Sequence, residues 1–188
     1  MMWKPVDEIT ARWRPEAGHG LEHLVLKATP EGYSVRSRVI GENEGRPHAF
    51  SYEIDLDKGW RVVSLAIESV DGRSRSYRSP SAGRWQDGKG NALPVFDGCI
   101  DIDLSFTCFT NSLPVRRTDF AKGQACEFSM LWMPSDTLDP FVDGQRYTCR
   151  EPGKRFHYEA TDGTFEAEIA FDDYGLVTDY PGLFQRVA

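Results

Sequence analysis

The sequence predicts an all-β, mainly antiparallel protein: one large curled sheet, an unclosed barrel-like β-roll, wrapped around a single short helix in one domain spanning residues 1–188. Three observations lead there. Apolar side chains recur at every second residue through most of the chain from residue 20 onward, the period of a half-buried strand. Glycine-bearing turn signals separate these runs so closely that neighbouring strands must be antiparallel, since a parallel crossover needs about a dozen residues. Only the segment 107–118 breaks the alternation in favour of a helix.

In order, the predicted strands are 21–28, 33–41, 48–56, 60–70, 73–79, 99–105, 124–132, 145–150, 154–160, 164–171 and 176–180. Phe50, Tyr52, Ile54 and Leu56 share one face against Ser51, Glu53, Asp55 and Asp57 on the other. Phe156, Tyr158 and Ala160, then Phe165, Ala167, Ile169 and Phe171, repeat that pattern around Asp162-Gly163 and define a hairpin. Further turn signals stand at 30–32, 57–59, 71–72, 87–88 and 173–175. In the helical segment Thr110 or Ser112 is the expected N-cap, with Pro114 in the first turn. The glycine-rich stretch 84–94 reads as a loop. A sheet this large must curl or fold over to bury its aromatic face and shield its edges, and the helix is the element available to fill the concave side. A partly filled interior leaves room for an apolar ligand, and a completely filled one is only a core.

With 40% hydrophobic and 12% aromatic residues the chain has the apolar area for one sizeable core. Its net charge of -7 disfavours nucleic acid and anionic membrane surfaces as partners. No stretch approaches the roughly 18 apolar residues of a membrane span, so stable membrane insertion is not expected. The amino terminus carries Pro5 and Asp7 where an export signal needs a basic start and an apolar run, which predicts a cytoplasmic protein. Cys99, Cys108, Cys126 and Cys149 form no CxxC pair and are expected to be reduced thiols packed as small hydrophobes.

No metal, nucleotide or cofactor motif is present: His19 and His23 are four apart, but Gly18 and Gly20 argue against a helix there and no third ligand is near, and GRWQDGKG lacks the hydroxyl residue of a phosphate loop. The chemistry concentrates instead in GCIDIDLSFTCFTNSLPVRR, 98–117. Cys99, Asp101 and Asp103 share one strand face, and two carboxylates at that spacing repel unless paired or solvated. Arg116 and Arg117 are placed to return over that face, with Asn111 and Tyr147 as further donors, either to orient a polar head group or to form a purely structural ion-pair network. As catalytic carboxylates the pair points the wrong way, because neighbours on one face do not flank a scissile bond. Aromatic residues that can line a groove, or equally serve as core, are Trp13, Trp60, Trp85 and Trp132 with Tyr52, Tyr147, Tyr158 and Tyr180; Met130 and Met133 suggest an adaptable wall beside Trp132.

GCIDIDLSF (98–106), FTNSLPVRR (109–117), QRYT (145–148), DGTFEAEI (162–169) and the ending GLVTDYPGLFQRVA (175–188), taken in order, resemble the bacterial family described as "putative glycolipid-binding". The resemblance implies a sheet of about fifteen strands rolled around one helix, similar in shape to lipoprotein carriers that hold acyl chains in an unclosed barrel. It also implies an amphipathic small molecule or glycolipid as partner, no cofactor and no catalysis. The candidate ligand-binding residues are then Asp101, Asp103, Asn111, Arg116, Arg117, Trp132, Tyr147 and Tyr158. A small cofactor-independent enzyme on the same fold and a structural or protein-interaction module are the alternatives.

Overall fold

A computed structural model of the chain describes residues 3–43 and 45–187. Met1, Met2, Glu44 and Ala188 lie outside the described residues, and with them the start of the amino-terminal segment and the last residue of the family-like ending. The described residues form one sheet of fourteen strands, close to the number the resemblance implies. In chain order they are β1 (Glu8–Pro15), β2 (Leu21–Ala28), β3 (Gly32–Asn43), β4 (Arg46–Asp57), β5 (Val62–Ser69), β6 (Ser74–Ser81) and β7 (Arg84–Asp87). They continue with β8 (Asp101–Leu104), β9 (Ala125–Met133), β10 (Phe141–Glu151), β11 (Arg155–Ala160), β12 (Glu166–Phe171), β13 (Val177–Tyr180) and β14 (Phe184–Val187). Between β8 and β9 lie a 3₁₀ turn, Phe109–Asn111, and the helix α1, Ser112–Arg117.

The strand order, β7-β6-β5-β4-β3-β2-β1-β14-β13-β12-β11-β10-β9-β8, is two meanders joined where β1 pairs with β14. Every pairing is antiparallel except β8 with β9, whose connection runs through α1 and is long enough for a parallel crossover. The sheet is not closed, but its two ends approach: Gly98 N donates to the Gly83 carbonyl at 2.9 Å and Trp85 Nε1 to the Cys99 carbonyl at 2.7 Å. Covering the edges in this way removes unpaired backbone groups from solvent.

The inward faces make one core. Leu24 and Leu26, Ile54, Leu65 and Ile67, Phe156 and Ile169 line the concave wall, and Phe109, Leu113 and Val115 of the helical segment fill it. Trp13, fully buried on β1, donates its indole N–H to the Val177 carbonyl at 2.7 Å and so ties the first strand across the seam. All four cysteines are free thiols, three of them buried. No helix among the described residues is long and apolar enough to cross a membrane.

Three expectations need correction. The stretch 84–94 is not all loop: β7 occupies its start, anchored by buried Trp85, and the next residues fold back so that Gln86 bridges Ala92. Strands β1 and β14 were not anticipated at all. Neither Thr110 nor Ser112 caps the helix, whose N-cap position is Asn111 with no side-chain capping bond; the Thr110 hydroxyl is committed to Asp103 instead.

Candidate functional site

Strand β8 lies inside the roll with both of its faces covered, so its aspartates are not a wet surface pair. Asp101 is 1% exposed and takes Arg117 as its ion partner. Burial pushes the Asp101 carboxyl up, and the Arg117 hydrogen bond and charge oppose that rise. Asp103 has no such partner. It accepts from Thr110 Oγ1 at 2.8 Å and from Gln145 Nε2 at 2.6 Å, both neutral donors. Burial raises its pKa as well, with those two hydrogen bonds pulling the other way.

From Asp103 a chain of side chains runs inward. Asn111 Nδ2 donates to the Tyr147 hydroxyl at 2.9 Å, and that hydroxyl donates to Gln145 Oε1 at 3.3 Å. Burial and then the neighbouring Asp103 charge drive the Tyr147 pKa well above its ordinary value, so the phenol is neutral and holds its proton for this network.

A second buried carboxylate, on β2, was not among the predicted residues. Glu22 is 3% exposed and accepts from Tyr52 OH at 2.5 Å, Thr107 Oγ1 at 2.6 Å and Ser37 Oγ at 2.7 Å. Burial raises its pKa more than these three bonds lower it. The signal was present in LEHLVLKA: Glu22 shares the inward face with Leu24 and Leu26, a carboxylate where the period demands an apolar residue.

Both carboxylates open onto a cavity of about 1190 Å³ at one end of the roll. Its walls come from β1 to β4, from β8 and the residues that follow it, and from β9 to β11 and β13. The turns between β1 and β2, β9 and β10, β11 and β12, and β13 and β14 complete its mouth. The polar atoms sit low: Glu22, Thr107 and Asn111 are all buried. The mouth is mixed: the exposed apolar side chains Phe141, Phe165 and Leu183 stand beside exposed Asp136, Asp139 and Asp162. Tyr158 and Tyr180, 6.1 Å apart between ring centres, line the wall, as does Trp132, which packs at a tilt against Phe141 at 4.9 Å. Seven carboxylates line this space, and no lysine or arginine does among the described residues.

Of the candidate residues, Asp103, Asn111, Trp132 and Tyr158 line the cavity. Tyr147 stands one hydrogen bond behind Asn111, and Asp101 and Arg117 are sequestered together in the core side of the roll. Arg116 does not return over the aspartates. It donates to the Tyr174 carbonyl and lies over Trp60, away from the cavity. The four-residue Asp101, Asp103, Arg116 and Arg117 cluster is therefore divided, because consecutive positions near the end of a short helix point about 100° apart. Met130 and Met133 are core residues and do not reach the cavity.

On the outer sheet surface His157 pairs across strands with Glu168, Nδ1 to Oε1 at 3.0 Å, and its Nε2 faces Glu166 at 3.4 Å, with Glu159 beside them. This cross-strand grouping is remote from the cavity walls.

The family model described as "Putative glycolipid-binding" matches residues 10–186, and the chain belongs to that family. A crystal structure at 1.80 Å of a DUF1089-family protein from Pseudomonas aeruginosa superposes with a TM-score of 0.78 at 32% identity, over 100% of this chain and 96% of that one. Among curated proteins none matches.

Proposed function

We propose that the protein binds an amphipathic ligand, a glycolipid or a related lipid-like molecule, in the open cavity, and does so without catalysis. The observation that carries this reading is the combination within one cavity of about 1190 Å³ of exposed apolar side chains at the mouth and a buried hydrogen-bonding floor. Ligand sites are concave and mostly apolar with a few placed polar groups, and this one is large enough for a sugar and part of an alkyl chain. The family to which the chain belongs supports the same ligand class.

Native mass spectrometry of protein purified without detergent, followed by solvent extraction of whatever it carries, tests the reading. A stoichiometric amphiphile is the expected result. A bare polypeptide mass that stays bare after incubation with alkyl glycosides and extracted lipids rejects it.

A further inference from the structure

We infer that the cavity takes its ligand head-first, and that the head group is uncharged or cationic and carries no phosphate, sulfate or carboxylate. The inference rests on the amphiphile-binding reading above and adds the ligand's orientation and charge.

Orientation follows from where polarity sits. Glu22, Thr107 and Asn111 are 2–4% exposed lining residues, whereas the large apolar side chains of the lining that stay exposed, Phe141, Phe165 and Leu183, are at the mouth beside Asp136, Asp139 and Asp162. A tail driven to the floor would take the remaining water from half-buried Asp103 and offer no donor in return, which is the costly way to bury a polar group. A head group at the floor replaces that water with its own donors. The tail then covers apolar surface that is otherwise exposed at the mouth.

Charge follows from what is missing on the walls. Of the seven lining carboxylates, Asp139 is paired with Arg75 at 2.6 Å, and the charges of Arg73 and Arg186 reach Asp136 and Glu22 from behind the wall, while the hydrogen bonds to Asp103 and Glu22 come from neutral donors. Asp143 and Asp162 add negative charge near Asp103. His48 is the basic side chain on the wall among the described residues; it stacks on Phe50 at 5.1 Å, and burial lowers its pKa, which keeps it neutral. Protein sites for phosphate or carboxylate are built from arginine, lysine and aimed N–H groups, and an anion entering this cavity would meet walls lined by seven carboxyl groups and, among the described residues, no lysine or arginine.

The floor is rich in acceptors, since a carboxylate offers about four lone-pair positions and Asp103 uses two of them. Acceptor-rich floors suit donor-rich heads: sugar hydroxyls, or an ammonium as in an amino sugar. Tyr158 and Tyr180 supply ring faces on which either chemistry stacks.

Calorimetric titration of the detergent-free protein with octyl glucoside, octylamine and octyl phosphate, each below its micelle-forming concentration, tests the charge. The glucoside and the amine are expected to bind at least about tenfold tighter than the phosphate, about 1.4 kcal/mol. Asp103→Asn should narrow the gap between glucoside and phosphate, and Asp162→Asn, on a turn outside the buried network, should narrow it in the same direction. Equal affinity for glucoside and phosphate overturns the inference and leaves amphiphile binding standing. No binding of any of the three overturns both. Orientation is read from a crystal of the complex with a glucoside brominated at the chain end: bromine is expected beside Phe141 and Phe165, and bromine against Glu22 refutes head-first entry.

Discussion

The guanidinium of Arg116 lies 3.8 Å from the centre of the Trp60 ring, and neither residue lines the cavity. Trp60 holds a left-handed backbone (φ 62) in the β4–β5 turn and packs its other neighbour, Tyr33, at 4.9 Å. The space around this pair is tight: a side chain at Gly175 would meet Arg116 Cγ at 2.7 Å. Desolvation is visible in the arginine itself, whose pKa burial lowers to about 10.

Arg116→Ala should therefore cost about 2 kcal/mol of stability, from the lost cation–π contact and the bond to Tyr174 O, and leave octyl glucoside affinity within twofold. Urea unfolding and calorimetry measure the two separately. A large fall in affinity at unchanged stability would return Arg116 to the binding site.

Arg117→Ala should be the more damaging substitution, by about 3–5 kcal/mol, because it strands the 1%-exposed Asp101 carboxylate without its partner. Adding Asp101→Leu to Arg117→Met should recover most of that loss. If the double replacement is as unstable as Arg117→Ala, repacking rather than stranded charge sets the cost.

Glu22 gives a pH signature. Its pKa is raised in the fold above the ordinary 4.5, so the folded state holds the proton more tightly. The stability this contributes is complete below that ordinary value and is lost as pH rises through the raised one. Glu22→Gln removes the slope. The variant should thus gain on the wild type as pH rises above the ordinary value and level off once the raised one is passed, as read from urea midpoints against pH. A difference that is flat in pH would mean Glu22 is not shifted.

Ala160→Trp, on the cavity wall at the end of β11, should abolish amphiphile binding with a change in melting temperature of no more than a few degrees, because the new ring enters empty space rather than the core. Retained binding would place the ligand elsewhere.

Long hairpins such as β3–β4 were legible because alternation and turn chemistry agree over many residues. The elements that were missed lack that agreement. β14 has four residues, all of them half-buried, and shows no alternation; β7 has a single buried side chain; β1 carries small Ala11 where its inward face would otherwise announce itself. For the site, the strand face bearing Asp101 and Asp103 could be read from period two, but not that β8 is covered on both sides, which depends on the roll. The cavity was legible only as a possibility, since its mouth is assembled from four turns distant in sequence. Glu22 is the residue that could have been found, as a charge on an apolar face.

The seam between β1 and β14 also dictates an order of events during synthesis. Arg14 and Gln185, hydrogen-bonded across it at 2.7 Å, stand 171 residues apart, so the ribosome must release nearly the whole chain before the two meanders can join. Until then β1 is a free edge on a nascent seven-stranded sheet, and the loop to be closed is nearly as long as the protein. Pairings this distant in sequence carry a large loop-closure cost, and an unpaired β1 edge is open to edge-to-edge association until its partner arrives.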